Sequence, residues 1–208
     1  MFDPLFIDRL AWTFSHQPEL YAKHLAAPEA PQSAIGVATA AFMDALGKDW
    51  DTKTIYHYVV HALEVASQKG VWMEKTIRKF FETGYKIQPY ELKMTLWPGA
   101  FIYSGMKASS EEEVKQLAEE WSQQLHLGKP GYYNQQIALQ IYLWRNGKEQ
   151  ELTWTQTGAY GINRPWKCIE AAHDYWSALD NAFRADGYAP YTGIIVGALA
   201  EAKWRNTI

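Results

Sequence analysis

The strongest constraint on the fold is Asn146-Gly147, which stands between two apolar segments in QIALQIYLWRNGKEQELTWTQT, residues 136–157. Asn-Gly favours a type I′ turn because both residues tolerate a positive φ, and such a turn joins two strands of a β-hairpin. The turn fixes the register, so that Trp144 faces Glu149 and successive residues point to opposite faces of the sheet. One face would carry Ile137, Leu139, Ile141, Leu143, Leu152 and Trp154, and the other Tyr142, Trp144, Glu149, Glu151, Thr153 and Thr155.

A second alternating segment predicts another pair of strands. In YELKMTLW, residues 90–97, every second residue is apolar, and Pro98-Gly99 is typical of a turn. Residues 100–105 are therefore expected to return as a strand. Helical patterns follow both strand pairs, which gives the order ββα–ββαα. The sequence thus predicts an α+β fold for residues 87–208, with a four-stranded, mainly antiparallel sheet and helices on its apolar face.

Residues 1–86 show the helical period instead. Asp3, Ser33 and Asp51 are each suited to cap a helix N-terminus, and apolar residues spaced three or four apart follow them. The cluster APEAPQS, residues 27–33, separates two of these helices. We therefore expect a helical subdomain, 1–86, and an α+β subdomain, 87–208, which either stand apart or form one compact body.

Charge and composition narrow the class of partner. The chain has 208 residues and a net charge of −3, without long runs of Lys and Arg, so nucleic-acid binding is not expected. The longest apolar run, residues 193–200, is shorter than the roughly 18 residues that span a bilayer, so no membrane partner is expected. Cys168 is the only cysteine, and the first residues do not resemble a secretory signal. A reducing cytoplasm is therefore expected.

Aromatic residues make up 15% of the chain, with ten tryptophans. Tyr and Trp are enriched at interfaces because they combine a large apolar area with a polar atom. Trp97, Tyr142 and Trp144 are expected on the less apolar sheet face, where they would form an interaction surface. The alternative is that the N-terminal helices cover this face and bury them.

The segment TIYHYVVHALEVASQ, residues 54–68, places His57, His61 and Glu64 on one side of a helix. These three residues are candidate metal ligands, but they lie opposite the apolar side of the helix. A zinc site needs three or four converging ligands, so further groups such as His126, His173 or Asp174 would have to converge on them. The alternative is an ordinary solvated helix surface.

The loop after the predicted hairpin has the parts of an anion site. Gly158 and Gly161 precede a helix N-terminus that carries Arg164 and Lys167, and free backbone N–H groups there favour negative charge. The glycines could equally serve a plain connection. Cys168 is a weak candidate nucleophile, because a helix turns its side chain away from that of His173.

No catalytic motif accompanies the aromatic content. The sequence therefore favours a cytoplasmic interaction or adaptor protein that binds another protein through aromatic-rich surfaces, without a cofactor. The alternative is an enzyme that binds a small molecule or anion at the 158–167 loop, or a metal-dependent enzyme that uses His57 and His61.

Overall fold

A computed structural model describes residues 2–127, 132–149, 160–185 and 189–205. These residues form helices joined by turns, and no strand occurs among them. The predicted α+β class and its four-stranded sheet are therefore wrong, because the described part of the chain is all-helical. Its helices are α1 (Pro4–His16), α2 (Pro18–Tyr21), α3 (Ala34–Asp44), α4 (Thr52–Gln68), α5 (Lys75–Glu82), α6 (Tyr90–Lys107), α7 (Glu111–Gln124), α8 (Tyr132–Arg145), α9 (Tyr160–Glu170), α10 (Tyr175–Arg184) and α11 (Ala189–Trp204).

The helices α6, α8 and α11 form the centre of the bundle. α6 packs against α3, α7 and α8, while α11 packs against α1, α8, α9 and α10. Every residue from Leu96 to Gly105 in α6 is buried, and so is every residue from Thr192 to Ala202 in α11. A helix that neighbours surround on all sides is apolar all round and shows no single apolar stripe.

This burial explains why the strand predictions for α6 and α8 are wrong. Residues 90–97, expected as a strand, open α6, and Pro98-Gly99, expected as a turn, lies inside it. Residues 136–145, expected as the first hairpin strand, belong to α8. In residues 90–97 the buried pair Leu92 and Leu96 is four residues apart, which fits one face of a helix as well as a period of two. Residues 136–144 are nearly all buried, so their pattern does not distinguish the two periods either. Most of the expected second hairpin strand, residues 150–157, lies outside the described residues.

Asn146-Gly147 ends a helix rather than turning a hairpin. The Gly147 N–H donates to the Trp144 carbonyl at 3.0 Å, and the Lys148 N–H donates to the Leu143 carbonyl at 2.9 Å. This pair of bonds is the Schellman arrangement, in which the residue after the C-cap adopts the left-handed conformation. Gly147 has a φ of 70°, whereas Asn146 does not have a positive φ. The sequence signal was ambiguous because both structures require a positive φ at the glycine.

Two substitutions distinguish the helix end from a hairpin turn. Gly147→Val should lower the free energy of unfolding by about 1–2 kcal/mol, because a β-branched residue is forced into the left-handed region. Asn146→Ala should change it by no more than about 1 kcal/mol. Asn146 does not have a positive φ, and the substitution removes one hydrogen bond, from the Asn146 side chain to the Tyr142 carbonyl. Thermal unfolding of both variants measures the difference, and equal losses would contradict the helix end.

The helical prediction for the N-terminal part is confirmed in its caps. The side chains of Asp3, Ser33 and Asp51 accept hydrogen bonds from the first turns of α1, α3 and α4. α1 packs on α11 and α3 packs on α6, so helices from 1–86 and 87–208 contribute to one hydrophobic core. Within the described ranges, no helix is both long enough and apolar enough to cross a membrane.

Candidate binding surface

Trp72 and Tyr90 are the most exposed of the described Trp, Tyr and Phe residues, at 64% and 68% exposure. They line the same groove, which has a volume of about 350 Å³. The groove lies between the start of α3, the 70–74 loop, α5 and the start of α6. We call it the Trp72 groove; its lining residues are Ala34, Ile35, Trp72, Met73, Glu74, Ile77, Tyr90, Glu91, Met94 and Thr95.

The loop that carries Trp72 is held at both ends. Gly70 has a φ of 89° and follows the C-cap of α4, and the Val71 N–H donates to the Ala66 carbonyl at 3.0 Å. On the other side, Met73 is only 1% exposed, and its carbonyl accepts a hydrogen bond from Arg78 Nε at 3.1 Å. Trp72 is thus the exposed residue of an anchored segment. A side chain presented in this way loses little backbone freedom when it binds.

The floor of the groove is apolar and its charged groups are acidic. Ile35, Met73 and Ile77 are buried beneath the opening, and Met94 is half-buried beside them. Methionine adapts its shape to different ligands, which suits a surface that receives apolar side chains. The charged residues of the lining are Glu74 and Glu91, and neither forms an ion pair with another described residue. The groove is therefore apolar with a negative rim.

The residues expected to form the interaction surface lie inside the bundle. Trp97, Tyr142 and Trp144 are 5%, 7% and 7% exposed. The Tyr142 hydroxyl donates to the Ser109 carbonyl at 3.2 Å, and the Trp144 ring stacks on that of Trp166 with centroids 5.9 Å apart. The exposed strand face on which these residues were expected does not exist, because their segments are central helices. In this fold the three side chains join helices to one another.

The expected anion-binding residues lie within a helix rather than in a loop. Gly161, Arg164 and Lys167 all belong to α9, whereas Gly158 falls outside the described residues. Arg164 is half-buried and Lys167 is exposed. Cys168 is buried, and burial raises the pKa of its thiol, so the thiolate that a nucleophile needs is disfavoured.

The three expected metal ligands lie on the outer side of α4. His61 Nδ1 is 3.5 Å from Glu64 Oε2, and Glu64 Oε2 also accepts a hydrogen bond from the Tyr85 hydroxyl at 2.5 Å. His57 lines a different pocket, together with His126. Across the described ranges, no group of three or more His, Cys, Asp or Glu side chains is arranged to hold a metal ion.

The sequence analysis missed Asp8, a buried carboxyl group. Asp8 is 2% exposed and lines a cleft of about 590 Å³ beside Trp12 and Trp72. It accepts hydrogen bonds from the Ser33 N–H at 2.7 Å and the Ser33 hydroxyl at 2.6 Å, which ties α1 to the N-terminus of α3. Burial raises its pKa, while the Ser33 hydrogen bonds oppose the rise. The signal was an acidic residue beside Ile7 and Leu10 on the apolar side of α1.

Trp72 also could not be singled out from composition, because most of the ten tryptophans are needed for packing. A local signal does exist, since Gly70 ends α4 and Trp72 follows it before the next helix begins. Comparison with models of protein families, with curated proteins and with solved structures gives no match. The proposed function therefore rests on the geometry of these surfaces.

Proposed function

We propose that the protein is a cytoplasmic interaction protein that binds a segment of another protein in the Trp72 groove. The observation that supports this proposal is the pairing of Trp72 and Tyr90, each about two-thirds exposed, over a buried apolar floor. Large contiguous apolar surfaces are unfavourable in water and mark interaction sites. Trp and Tyr are the side chains that most often dominate the free energy of protein binding.

The charge of the groove defines the partner more closely. Glu74 and Glu91 are the charged groups of this rim, and the described residues of the lining include no Lys, Arg or His. A partner segment with two or three large apolar side chains next to Lys or Arg would satisfy both the floor and the rim. The volume of 350 Å³ is near the lower end for sites that enclose a ligand, which suits a few side chains rather than a whole domain. The single cysteine is consistent with the proposed cytoplasmic location.

The experiment is a selection from a displayed library of peptides that tile the proteins of the native host. We expect enriched peptides to share apolar anchors beside basic residues. Trp72→Ala should weaken their binding at least about tenfold, since loss of an anchor aromatic commonly costs about 2 kcal/mol. Trp50→Ala is the matched control, because Trp50 is 38% exposed and lies outside the Trp72 groove. Peptides that bind Trp72→Ala as tightly as the wild type would contradict the proposal.

The acidic rim gives a separate expectation for the kinetics. Glu74→Gln together with Glu91→Gln should slow association of a selected basic peptide and reduce the dependence of its rate on salt. The dissociation rate should change less, because charges at a rim act mainly on encounter. Stopped-flow measurements at low and high salt test this, and an unchanged salt dependence would show that the two carboxylates do not face the partner.

A further inference from the structure

A second pocket, separate from the Trp72 groove, collects hydrogen-bond donors. It has a volume of about 480 Å³ and lies between α4, the turn after α5 and the end of α7. Its polar lining residues are His57, Tyr85, Lys86, Gln88, Gln124 and His126, and no Asp or Glu occurs among the lining residues that the structure describes. Two histidines from distant parts of the sequence thus line the same pocket as a lysine and two amide side chains. Such a set is typical of a site for a negatively charged group.

Gln88 contributes a buried amide group to the lining of this pocket. Its Nε2 is buried and has no hydrogen-bond partner among the described residues. Nearly all buried polar groups in folded proteins have a partner, so an unpaired amide beside a cavity needs an explanation. Because this atom has almost no accessible surface, the Gln88 side chain must rotate before its amide can donate to an acceptor in the pocket. Oxygen atoms of a phosphoryl or carboxylate group are such acceptors.

The backbone at His126 is a second, independent observation. His126 has a φ of 50° and follows the C-cap of α7, where its N–H donates to the Gln123 carbonyl at 3.0 Å. Glycine is the usual residue at this position, because other residues are strained there. Strained backbone positions cluster at functional sites, and this one lies beside the cavity.

Glu64 is a carboxylate beside this pocket and is bonded to one of the lining residues. It accepts the hydrogen bond from the Tyr85 hydroxyl at 2.5 Å. Partial burial and the Glu64 hydrogen bond and charge raise the pKa of Tyr85 to about 12, so that Tyr85 is neutral at physiological pH. Lys86 brings an ammonium group to the lining, and His57 and His126 bring ring N–H donors. Tyr56, Val60 and Phe80 provide an apolar wall.

We propose that this pocket binds a small organic anion. Its phosphoryl or carboxylate group accepts hydrogen bonds from Lys86, Gln88 and His126, and its apolar or ring-shaped body lies against Phe80 and Tyr56. The site is independent of the Trp72 groove, so failure of either proposal leaves the other intact. The two anionic groups share one recognition chemistry, and the probes below distinguish them.

The test is calorimetric titration of the wild-type protein with phenyl phosphate and with benzoate. Saturable binding of either anion is expected, and the tighter of the two identifies the preferred group. Benzyl alcohol and benzylammonium are matched neutral and cationic controls, which should bind at least about tenfold more weakly. No saturable binding of either anion at millimolar concentration, or equal binding of benzylammonium, would overturn the proposal.

His126→Gly separates a binding role from a structural one. Glycine suits the left-handed backbone, so the melting temperature should stay equal or rise, while anion affinity should fall about tenfold with the lost donor. Gln88→Leu, which removes the amide and nearly keeps the volume, should weaken binding without large loss of stability. Anion affinity that is unchanged in both folded variants would contradict the proposed site.

Discussion

Replacing Gly105 with valine should destabilise the protein by about 3 kcal/mol or more, because α6 and α8 cross in contact at this residue. A Cβ atom at Gly105 would overlap the Ala138 carbonyl oxygen and lie 2.9 Å from the Ile141 Cβ atom. The first of these is a backbone atom, which cannot move aside as a side chain does. The two central helices would have to separate, and the core around them would lose its close packing.

Gly47→Val is the matched control for this substitution. A Cβ atom at Gly47 meets no other atom within 4 Å, so the change in the free energy of unfolding should stay within about 0.5 kcal/mol. Chemical denaturation of both variants beside the wild type provides the comparison. Equal stability of the Gly105 variant and the wild type would mean that α6 and α8 do not cross at this point.

Trp121→Ala should lower the free energy of unfolding by about 3–5 kcal/mol, the range observed when a large buried aromatic side chain is removed. Trp121 is 0% exposed in α7. Its ring meets those of Phe42 in α3 and Tyr103 in α6 edge-on, with centroid distances of 5.1 and 6.2 Å. The substitution therefore leaves a cavity where three helices meet.

Trp72→Ala is the matched control, since it removes the same side chain from an exposed site. Its cost should be at most about 1 kcal/mol, because most of the Trp72 surface is in contact with water already. Thermal unfolding of the two variants should thus give clearly different melting temperatures. A Trp72 variant as unstable as the Trp121 variant would show that Trp72 is a core residue.

Local chemistry predicted the N-terminal helices well and the central helices badly. The caps at Asp3, Ser33 and Asp51 depend on a few neighbouring residues, so the sequence alone reveals them. α8 and the second half of α6 are buried on nearly all sides, and the short alternating segment that opens α6 fits a helix face as well as a strand. Gly147 added to the error, because a hairpin turn and a helix end require the same backbone conformation there.

The residues of the candidate site could likewise not be predicted from local sequence alone. The aromatic content correctly drew attention to Trp and Tyr, but burial depends on tertiary packing, which places Trp144 inside and Trp72 outside. The pairing of His57 with His126 across one pocket joins residues far apart in the chain. Only the packing of α4 against α7 brings them together, and no local sequence pattern predicts that packing.

The most direct test of the Trp72 groove is a nuclear magnetic resonance titration that follows the indole N–H signals of the ten tryptophans while a selected peptide is added. Trp72→Phe assigns the signal of Trp72 by its disappearance. We expect the Trp72 signal to shift on binding, while the signals of buried Trp121 and Trp144 stay in place. A peptide that saturates the protein and leaves the Trp72 signal unmoved would show that the Trp72 groove is not its binding site.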